Sequence, residues 1–355
     1  MFIMSNIKRF LTVFLLGLVI KAGVYVDLLG RRVEVAARPR RIICVGPGAL
    51  RLMVYLRAQD RVVGVEEIER RFFRGRPYIL AHPELKSLPV FAKGGPPGEN
   101  PLNYEKIILL KPDLIFATYL DRGEAERISS KVRAPVVVLS YGELATFEEG
   151  VLFRSLRLAG KILGREARAE RLIRYIRATI EDLKDRTSGI KRRPRVYIGG
   201  LGHRGSHGID SSMGEFPVFR LVGAENLADT LRIRGWISVD REKILQWDPD
   251  YIFVDEGGLE IVLEDVRRNP SFYRALTAVR EGRVYGLLPF NYYTTNIEVA
   301  LASGYFVGKV LYPEKFRDIE IEKKADEIFN FFVGKPVYQA MKRDYGGYRR
   351  LNLLK

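Results

Sequence analysis

Short apolar runs alternate with helical patterns along most of the chain. The helical patterns place apolar residues at steps of three and four, whereas the apolar runs are short and continuous, as in the buried strands of a parallel sheet. The strand-like runs are RRIICVG (40–46), RVVGV (61–65), DLIFAT (113–118), APVVVLS (134–140), RVYIGG (195–200), DYIFVD (250–255) and GRVYGLLP (282–289). Strands that alternate with helices are typical of parallel βα units. The pattern therefore predicts an α/β fold.

One helical pattern is much longer than the others and lies between the two groups of strands. It covers residues 165–186, and its apolar face is formed by Leu172, Ile173, Ile176, Ile180 and Leu183. At 1.5 Å per residue this helix would span roughly 33 Å, about the diameter of a domain. A shorter helical pattern precedes it and ends at Gly164. The chain is thus predicted to form two α/β lobes joined by one long helix.

An internal repeat marks both predicted lobes. NYEKIILLKPDLIFAT (103–118) and DREKILQWDPDYIFVD (240–255) share Glu-Lys-Ile, Pro-Asp and Ile-Phe in register, 137 residues apart. Each copy predicts a helix, a turn ended by proline and a central strand. Glu105 and Glu242 occupy the same early helix position. A first-turn glutamate is favoured by the helix dipole, so the residues alone leave a structural and a functional role equally open.

The first 23 residues have the layout of a secretory signal. Lys8 and Arg9 precede an apolar run over residues 10–20, and the small residues Ala22 and Gly23 follow it. The run is shorter than the roughly 20 apolar residues that span a membrane comfortably. The alternative is an uncleaved N-terminal anchor, and no cysteine follows the run to carry a lipid. In either case we expect the rest of the chain to work outside the cytoplasm.

The net charge of +16 and the pI of about 9.8 favour anionic ligands, lipid surfaces or nucleic acid. The basic residues are interleaved with acidic ones on predicted helices, which is typical of a solvated, ion-paired surface. The single cysteine, Cys44, lies in a strand-like run, which excludes a disulfide or a zinc–cysteine site within the chain. Glutamine is scarce and arginine outnumbers lysine, as in thermophile proteins.

Several motifs in this order resemble the substrate-binding proteins of ABC importers for iron–siderophore complexes, haem and cobalamin. The motifs are DLLGRRVEVAARPRRIICVGPGALRLMVYLRAQDRVVGV, NYEKIILLKPDLIFA, FRLVGAENLAD, WISVDREKILQWDPDYIFV and AVREGRVYGLLP. The resemblance implies two Rossmann-like lobes with parallel central sheets, one rigid connecting helix, and a ligand held between the lobes. It also implies a monomer that catalyses nothing, has no cofactor, and delivers its ligand to a permease dimer with its ATPase.

The resemblance divides the chain and assigns the repeated glutamates. The expected parts are the signal or anchor (1–23), the N-terminal lobe (24–150), a helical linker (151–189), the C-terminal lobe (190–312) and a helical tail on that lobe (313–355). Glu105 and Glu242 match the two family glutamates that dock onto arginines of the permease, one from each lobe. The chain departs from the family at GPGALR, where Arg51 stands in place of a usual acidic residue.

Ligands of open α/β sheets bind beyond the carboxyl ends of the strands, which selects the loops there. The resemblance adds Trp236, six residues before Glu242, as an aromatic that faces the ligand. The full set of expected ligand-binding residues is Gly46, Pro47, Lys93, Tyr119, Arg122, Tyr141, His203, Arg204, His207, Trp236, Asn291 and Tyr292. His203 and His207 are candidates to reach the metal of a bound chelate. The alternative is that they bond to nearby backbone, since no carboxylate or thiolate completes a metal site.

A basic, aromatic cleft suits a bulky anionic iron chelate. A ferric siderophore is the first expectation, and haem or a corrinoid is the second; this choice rests on the habits of the family. A chelatase-like enzyme would need an acid–base pair or cluster cysteines, which the sequence does not offer. A nucleic-acid-binding protein would need a recognisable reading module, and none is found. We therefore expect a binding protein without enzymatic activity and without a nucleic-acid partner.

Overall fold

The computed structural model describes residues 22–95, 101–143, 147–203 and 205–354. The predicted signal or anchor lies almost entirely outside these residues, and so does Arg204. Among the described residues, no helix combines the length and the apolar character that a bilayer crossing requires.

The N-terminal lobe is built on a parallel sheet with the strand order β5-β4-β3-β6-β7. Its central strands are buried throughout, which explains their continuous apolar sequences. An antiparallel hairpin of β1 and β2 precedes the sheet. The strands are β1 (Gly23–Val26), β2 (Arg32–Val35), β3 (Ile42–Val45), β4 (Val62–Glu66), β5 (Val90–Ala92), β6 (Leu114–Thr118) and β7 (Val136–Leu139). The helices are α1 (Ala49–Tyr55), α2 (Glu67–Arg71), α3 (Pro77–Ala81), α4 (Tyr104–Leu109) and α5 (Arg122–Val132).

Two packed helices connect the lobes, α6 (Glu149–Leu163) and α7 (Glu166–Thr187). The first ends at Gly164, whose φ of 65° is a left-handed conformation that glycine adopts without strain. The predicted apolar face of α7 is buried, with Leu172, Ile173, Ile176, Ile180 and Leu183 all at most 5% exposed. At roughly 1.5 Å per residue, its 22 residues span the two lobes.

The C-terminal lobe repeats the architecture with the strand order β10-β8-β12-β13-β14, where β14 is Arg349–Arg350 of the tail. Among the described strands of this sheet, β13 and β14 pair antiparallel and the other neighbours pair parallel. An antiparallel pair, β9 with β11, lies outside this sheet. The strands are β8 (Arg195–Gly199), β9 (Ser211–Gly214), β10 (Glu225–Asn226), β11 (Gly235–Ser238), β12 (Tyr251–Asp255) and β13 (Val284–Leu287). The helices are α8 (Pro217–Leu221), α9 (Arg241–Trp247), α10 (Leu259–Arg268), α11 (Pro270–Ala275), α12 (Thr277–Arg280) and α13 (Ile297–Leu311). The predicted α/β fold with parallel central sheets is confirmed.

The repeated helix–turn–strand occupies the same position in both lobes. In the first lobe α4 leads into β6, which pairs with β3, and in the second α9 leads into β12, which pairs with β8. The aspartate of each Pro-Asp turn binds the backbone at or just before the start of that neighbouring strand. The Asp113 carboxylate accepts from the amides of Arg40 and Arg41 at 2.7 and 3.0 Å, and Asp250 accepts from the Arg195 amide at 2.9 Å.

The tail contains α14 (Ile321–Val333), α15 (Tyr338–Tyr345) and β14 (Arg349–Arg350). It contacts the C-terminal lobe, where β14 pairs with β13 and the Gly347 amide donates to Glu256 at 2.9 Å. It also contacts the N-terminal lobe, where the His82 Nε2 atom lies 2.9 Å from the Val333 carbonyl oxygen. The expectation placed the tail on the C-terminal lobe, whereas in the structure it touches both.

One apolar core joins the parts of the molecule. A single cluster of buried side chains includes Leu52 of α1, Leu172 of α7, Phe253 of β12 and Phe329 of the tail. Because this cluster is continuous, the lobes do not have separate interiors on this side of the molecule. The site described next lies where the carboxyl ends of the two sheets face each other.

Candidate ligand-binding site

The first strand end of the site is formed by Gly46 and Pro47, directly after β3. Gly46 has a φ of 86°, and a Cβ atom there would lie 2.7 Å from the carbonyl oxygen of Thr118. Glycine is therefore required at this position on both conformational and steric grounds. Pro47 is buried, and its carbonyl accepts a hydrogen bond from the Thr118 hydroxyl at 2.8 Å. The predicted close approach of backbone at this strand end is present.

Glu66, at the end of β4, belongs to the same edge and was missed in the sequence. It is 4% exposed, and its carboxylate accepts from the Gly46 amide at 3.2 and 3.3 Å and from the Tyr293 hydroxyl at 2.7 Å. Burial raises the pKa of Glu66 to about 7, although these hydrogen bonds oppose the shift. The signal in the sequence was a charged residue directly after an apolar strand.

Residues 291–296, which we call the cleft loop, reach from the C-terminal lobe into the N-terminal lobe. Tyr293 and Thr294 have φ values of 58° and 63°, a left-handed conformation that is strained for such side chains. The Arg51 guanidinium donates to the four carbonyl oxygens of residues 292–295 at 2.9–3.2 Å. Arg51 is fully buried. The arginine that stands here in place of the acidic residue of the family motif therefore binds this loop and does not face solvent.

Further side-chain contacts join the lobes around the cleft loop. The Tyr119 hydroxyl lies 3.1 Å from the Thr294 hydroxyl, and the Tyr55 hydroxyl donates to the Glu298 carboxylate. Burial raises the pKa of Tyr119 and of Glu298. The expected ligand residues Asn291 and Tyr292 are half-buried in the same loop, and Asn291 bridges to Thr295. This side of the cleft is therefore closed by direct contacts between the lobes.

A second cluster lies beyond the carboxyl end of β8. The imidazole of His203 stacks on the Trp236 ring, with centroids 4.3 Å apart and an interplanar angle of 13°. The His207 ring lies 5.8 Å from the same indole, and its Nε2 atom is 2.7 Å from the His203 carbonyl oxygen. The Trp236 indole donates to the Ser211 hydroxyl at 2.7 Å, which fixes the ring. The structure thus brings Trp236 of β11 together with His203 and His207, two expected ligand-binding residues of an earlier loop.

Other expected ligand-binding residues lie outside these two clusters. Lys93 is exposed beyond β5, and the Arg122 guanidinium points to the Leu29 carbonyl oxygen at 3.3 Å. Tyr141 is fully buried and donates to the Gly48 carbonyl at 2.9 Å, so it supports the wall behind Gly48. Arg204 lies outside the described residues.

A cavity of about 380 Å³ adjoins the site on the side of the N-terminal lobe. Gly46, Pro47, Glu66 and Thr118 belong to its lining. Side chains of α4 and α5 line it as well, namely Tyr104, Glu124, Arg127, Ile128 and Lys131. The lining therefore includes a buried carboxyl and side chains of both charge signs.

The side chains of the site do not form a metal centre by themselves. Within the ranges that the structure describes, no three His, Cys, Asp or Glu side chains come together as a metal site would require. Cys44 is buried in β3, and burial, with Glu66 nearby, raises the pKa of its thiol. Such a thiol is protonated and unreactive at neutral pH.

The two repeated glutamates lie at matching places on the surface. Glu105 is exposed in the first turn of α4, and Glu242 is exposed in the first turn of α9. Ile108 and Leu109 follow Glu105 by three and four residues, so they share its face, and they are 48% and 78% exposed. An acidic residue beside exposed apolar side chains is a feature of interaction surfaces.

Comparisons with known proteins agree with this geometry. The family profile described as "Periplasmic binding protein" matches residues 42–289. The molybdate-binding protein MolA of Haemophilus influenzae is 26% identical over 337 residues, which cover 86% of this chain and 89% of that protein. A cobalamin-binding protein of Halobacterium salinarum is 24% identical and covers 73% of this chain and 66% of that protein.

Solved structures are similar over nearly the whole chain. A periplasmic solute binding protein from Veillonella parvula has a TM-score of 0.71 at 20% identity, covering 92% of this chain and 97% of that one. The Haemophilus influenzae MolA bound to molybdate has a TM-score of 0.70 at 21% identity, covering 88% of this chain and 98% of that one. At these identities the likeness shows the fold. The resemblance stated from the sequence motifs is confirmed.

Proposed function

Because the chain belongs to the periplasmic binding protein family, the solute-binding proteins of ABC importers, we propose that it captures a small metal oxyanion of the molybdate type between its lobes. It then delivers this ligand to the permease of its importer, outside the cytoplasm. It acts by binding and release and carries out no reaction. Its relatives include molybdate-binding, cobalamin-binding and iron(3+)-hydroxamate-binding proteins, which supports this role.

The choice of a small ligand rests on one observation: direct contacts between the lobes close one side of the cleft. Tyr119 and Tyr292 were expected to belong to a broad aromatic cleft for a bulky chelate. Instead, Tyr119 and Tyr293 bind Thr294 and Glu66 across the lobes at 3.1 and 2.7 Å. The Tyr292 ring lies 5.0 Å from the Arg76 guanidinium. These rings are engaged within the protein, and a small anion needs fewer of them.

The histidine cluster suits an oxyanion. The rings of His203 and His207 lie beside Trp236, and an imidazole carries N–H groups that can donate to an anion. Oxyanions are bound in proteins by several hydrogen bonds from such donors. The net charge of +16 attracts an anion from solution and raises its rate of encounter.

A ferric siderophore, expected from the sequence, is the second candidate. The stacked His203 and Trp236 rings form a flat aromatic platform that would suit a bulkier chelate. The iron(3+)-hydroxamate-binding protein FhuD of Bacillus subtilis is 27% identical over 214 residues, covering 54% of this chain and 60% of that protein. Haem and cobalamin are larger and fit the closed cleft less well.

Tryptophan fluorescence and calorimetry test the proposal. The chain has two tryptophans, and Trp247 is buried, so Trp247→Phe leaves Trp236 as the single reporter. This variant and the wild type are titrated with molybdate, tungstate, sulfate, phosphate, a ferric hydroxamate and cobalamin. We expect molybdate and tungstate to bind with micromolar affinity or better and to change the Trp236 emission, and His203→Ala to weaken binding. Binding of the ferric hydroxamate alone would replace the oxyanion by the second candidate, and binding of none would refute both.

Docking onto the permease is the second part of the proposed function. Glu105 and Glu242 present one carboxylate from each lobe, as the family glutamates do toward permease arginines. Their matching exposed positions on α4 and α9 support this role. The partner is then a permease with two equivalent halves.

A further inference from the structure

Arg51 is buried beneath the cleft loop and reaches it from the opposite lobe. It lies in α1 and is 0% exposed, with no route for direct contact with solvent. Its Nη1 atom donates to the Thr295 carbonyl at 2.9 Å, and its Nη2 atom donates to the carbonyls of Tyr292, Tyr293 and Thr294 at 2.9–3.2 Å. Two nitrogens of one side chain thus hold four successive carbonyl groups.

The convergence of these carbonyls requires a cation. Four carbonyl oxygens that point to one place repel each other, and the left-handed φ values of Tyr293 and Thr294 are strained in addition. A planar guanidinium with several fixed donors can satisfy all four, whereas a lysine ammonium has three donors and no fixed plane. The loop conformation therefore depends on the arginine at position 51.

The surroundings of Arg51 show that the charge is retained for this purpose. Burial lowers the pKa of Arg51, and the nearby side chains of Tyr141, Tyr78, Tyr55 and Glu298 together raise it by more, so that the net shift is upward. Glu298 does not pair with Arg51 directly but accepts from the Tyr55 hydroxyl. The guanidinium also lies 4.9 Å from the Tyr78 ring centroid. Its two Nη atoms donate to the loop, whereas its Nε atom has no hydrogen-bond partner among the described residues.

The cleft loop links Arg51 to the candidate ligand residues. Asn291 and Tyr292 precede the held carbonyls, and Tyr293 and Thr294 make the contacts to Glu66 and Tyr119 across the lobes. A shift of the loop would move all of these groups together. The sequence separation of 244 residues between Arg51 and Thr295 explains why no local pattern indicated this link.

We propose that Arg51 is a positioning residue for ligand capture: it fixes the cleft loop in its strained conformation and so sets the affinity of the site without touching the ligand. The proposal rests on the proposed function, because it needs a ligand between the lobes. It assigns to Arg51 a role that the family motif, with an acidic residue at this place, does not have.

The test combines amide hydrogen exchange with ligand affinity in the full chain. Arg51→Lys keeps the charge but loses the planar fork, and Arg51→Met is a second variant that removes the charge. Arg168 provides a matched control, since it is buried, lies in α7, and donates to the carbonyls of Tyr55, Phe331 and Phe332 away from the cleft loop. We expect Arg51→Lys to speed exchange in residues 291–296 and to raise the Kd for molybdate by about tenfold or more. Arg168→Lys should lower the Tm while leaving that Kd within about twofold.

An unchanged Kd in Arg51→Lys overturns the proposal, whatever the exchange rates. A rise in Kd of the same size in Arg168→Lys also overturns it, because general destabilisation would then explain both variants. If the wild type does not bind molybdate, the ferric hydroxamate replaces it as the probe. If neither binds, the proposed function has failed, and an unchanged exchange rate of the loop in Arg51→Lys then refutes the positioning role separately.

Discussion

Three carboxyls at strand ends are buried, and their hydrogen bonds do not fully offset the loss of contact with water. Glu66, Asp255 and Glu256 are 4–5% exposed, and burial raises their pKa values to about 7, 7 and 8. Glu256 is partly stabilised by Arg349 and the Gly347 amide of the tail, and Asp255 by the Gly257 amide. All three therefore favour the protonated form in the folded protein more than they do in the unfolded chain.

These carboxyls predict a stability that decreases from pH 5 to pH 8. A folded pKa above the ordinary value means that the folded state binds more protons, so the stabilisation is full below the unfolded pKa and is lost as the pH rises through about 7–8. Each group contributes a slope of up to about 1.4 kcal/mol per pH unit within that window. Urea unfolding at pH 5, 6, 7 and 8 measures the trend.

Single substitutions assign this trend to its residues. Glu256→Gln and Asp255→Asn should each flatten the pH profile, whereas Glu181→Gln, on the exposed face of α7, should leave its slope unchanged. Carboxyls with lowered pKa values, such as Asp265, are ionised in both states within this range and do not mask the effect. A free energy of unfolding that rises between pH 5 and pH 8 would contradict the prediction.

At the scale of the element, the aspartate of the repeated Pro-Asp turn links neighbouring strands by side-chain hydrogen bonds. The sequence indicated that the proline ends the helix and that the aspartate belongs to the turn. The structure adds that Asp113 binds the backbone just ahead of β3, and that Asp250 binds the amide of the first residue of β8. The same residues thus set the register of two adjacent parallel strands in each lobe.

Removing either aspartate should destabilise its own lobe. Asp113→Ala and Asp250→Ala leave backbone amides without an acceptor, and each should lower the free energy of unfolding by about 1–3 kcal/mol. Their effects should add, because the two sites are in different lobes. Urea unfolding of the single and double variants measures this, with Asp185→Ala on exposed α7 as the control. If the free energies of unfolding of both variants equal that of the control, the aspartates do not stabilise the strand pairing.

The elements that could be predicted are those with strong local patterns. The apolar runs of β3, β6, β7, β8, β12 and β13 and the periodic face of α7 were recognised within one or two residues, and so was the end of α6 at Gly164. The β9–β11 pair, β10 and β14 were not, because strands such as SSMG, EN and RR have no periodicity and depend on their partners. A short polar segment gives no sequence signal that it pairs with a distant strand.

At the scale of the whole molecule, the lobes are joined by more than the connecting helix. The apolar core is continuous across α1, α7, β12 and the tail, and the cleft loop adds polar contacts on the ligand side. A molecule joined in this way should open its cleft by a small amount only. The strand-end rule selected Gly46 and Tyr119 and the family resemblance selected Trp236, whereas Glu66 and Arg51 were missed because their roles come from contacts between the lobes.

The symmetry of the two lobes gives the last prediction, on docking. If Glu105 and Glu242 each bind one half of the permease, Glu105→Lys with Glu242→Lys should abolish ligand uptake in cells that carry the cognate importer. The ligand affinity should not change, because both residues are exposed on α4 and α9 outside the cleft contacts. Each single variant should reduce uptake partly.

Matched charge reversals separate docking from a general loss of negative charge. Glu126 of α5 and Glu260 in the first turn of α10 are also exposed glutamates, one in each lobe. Glu126→Lys with Glu260→Lys makes the same change in net charge and should leave uptake near the wild-type rate. Uptake that survives in the Glu105 and Glu242 double variant would show that the internal repeat serves the fold alone. Equal loss in both double variants would show that the permease responds to overall charge rather than to these two positions.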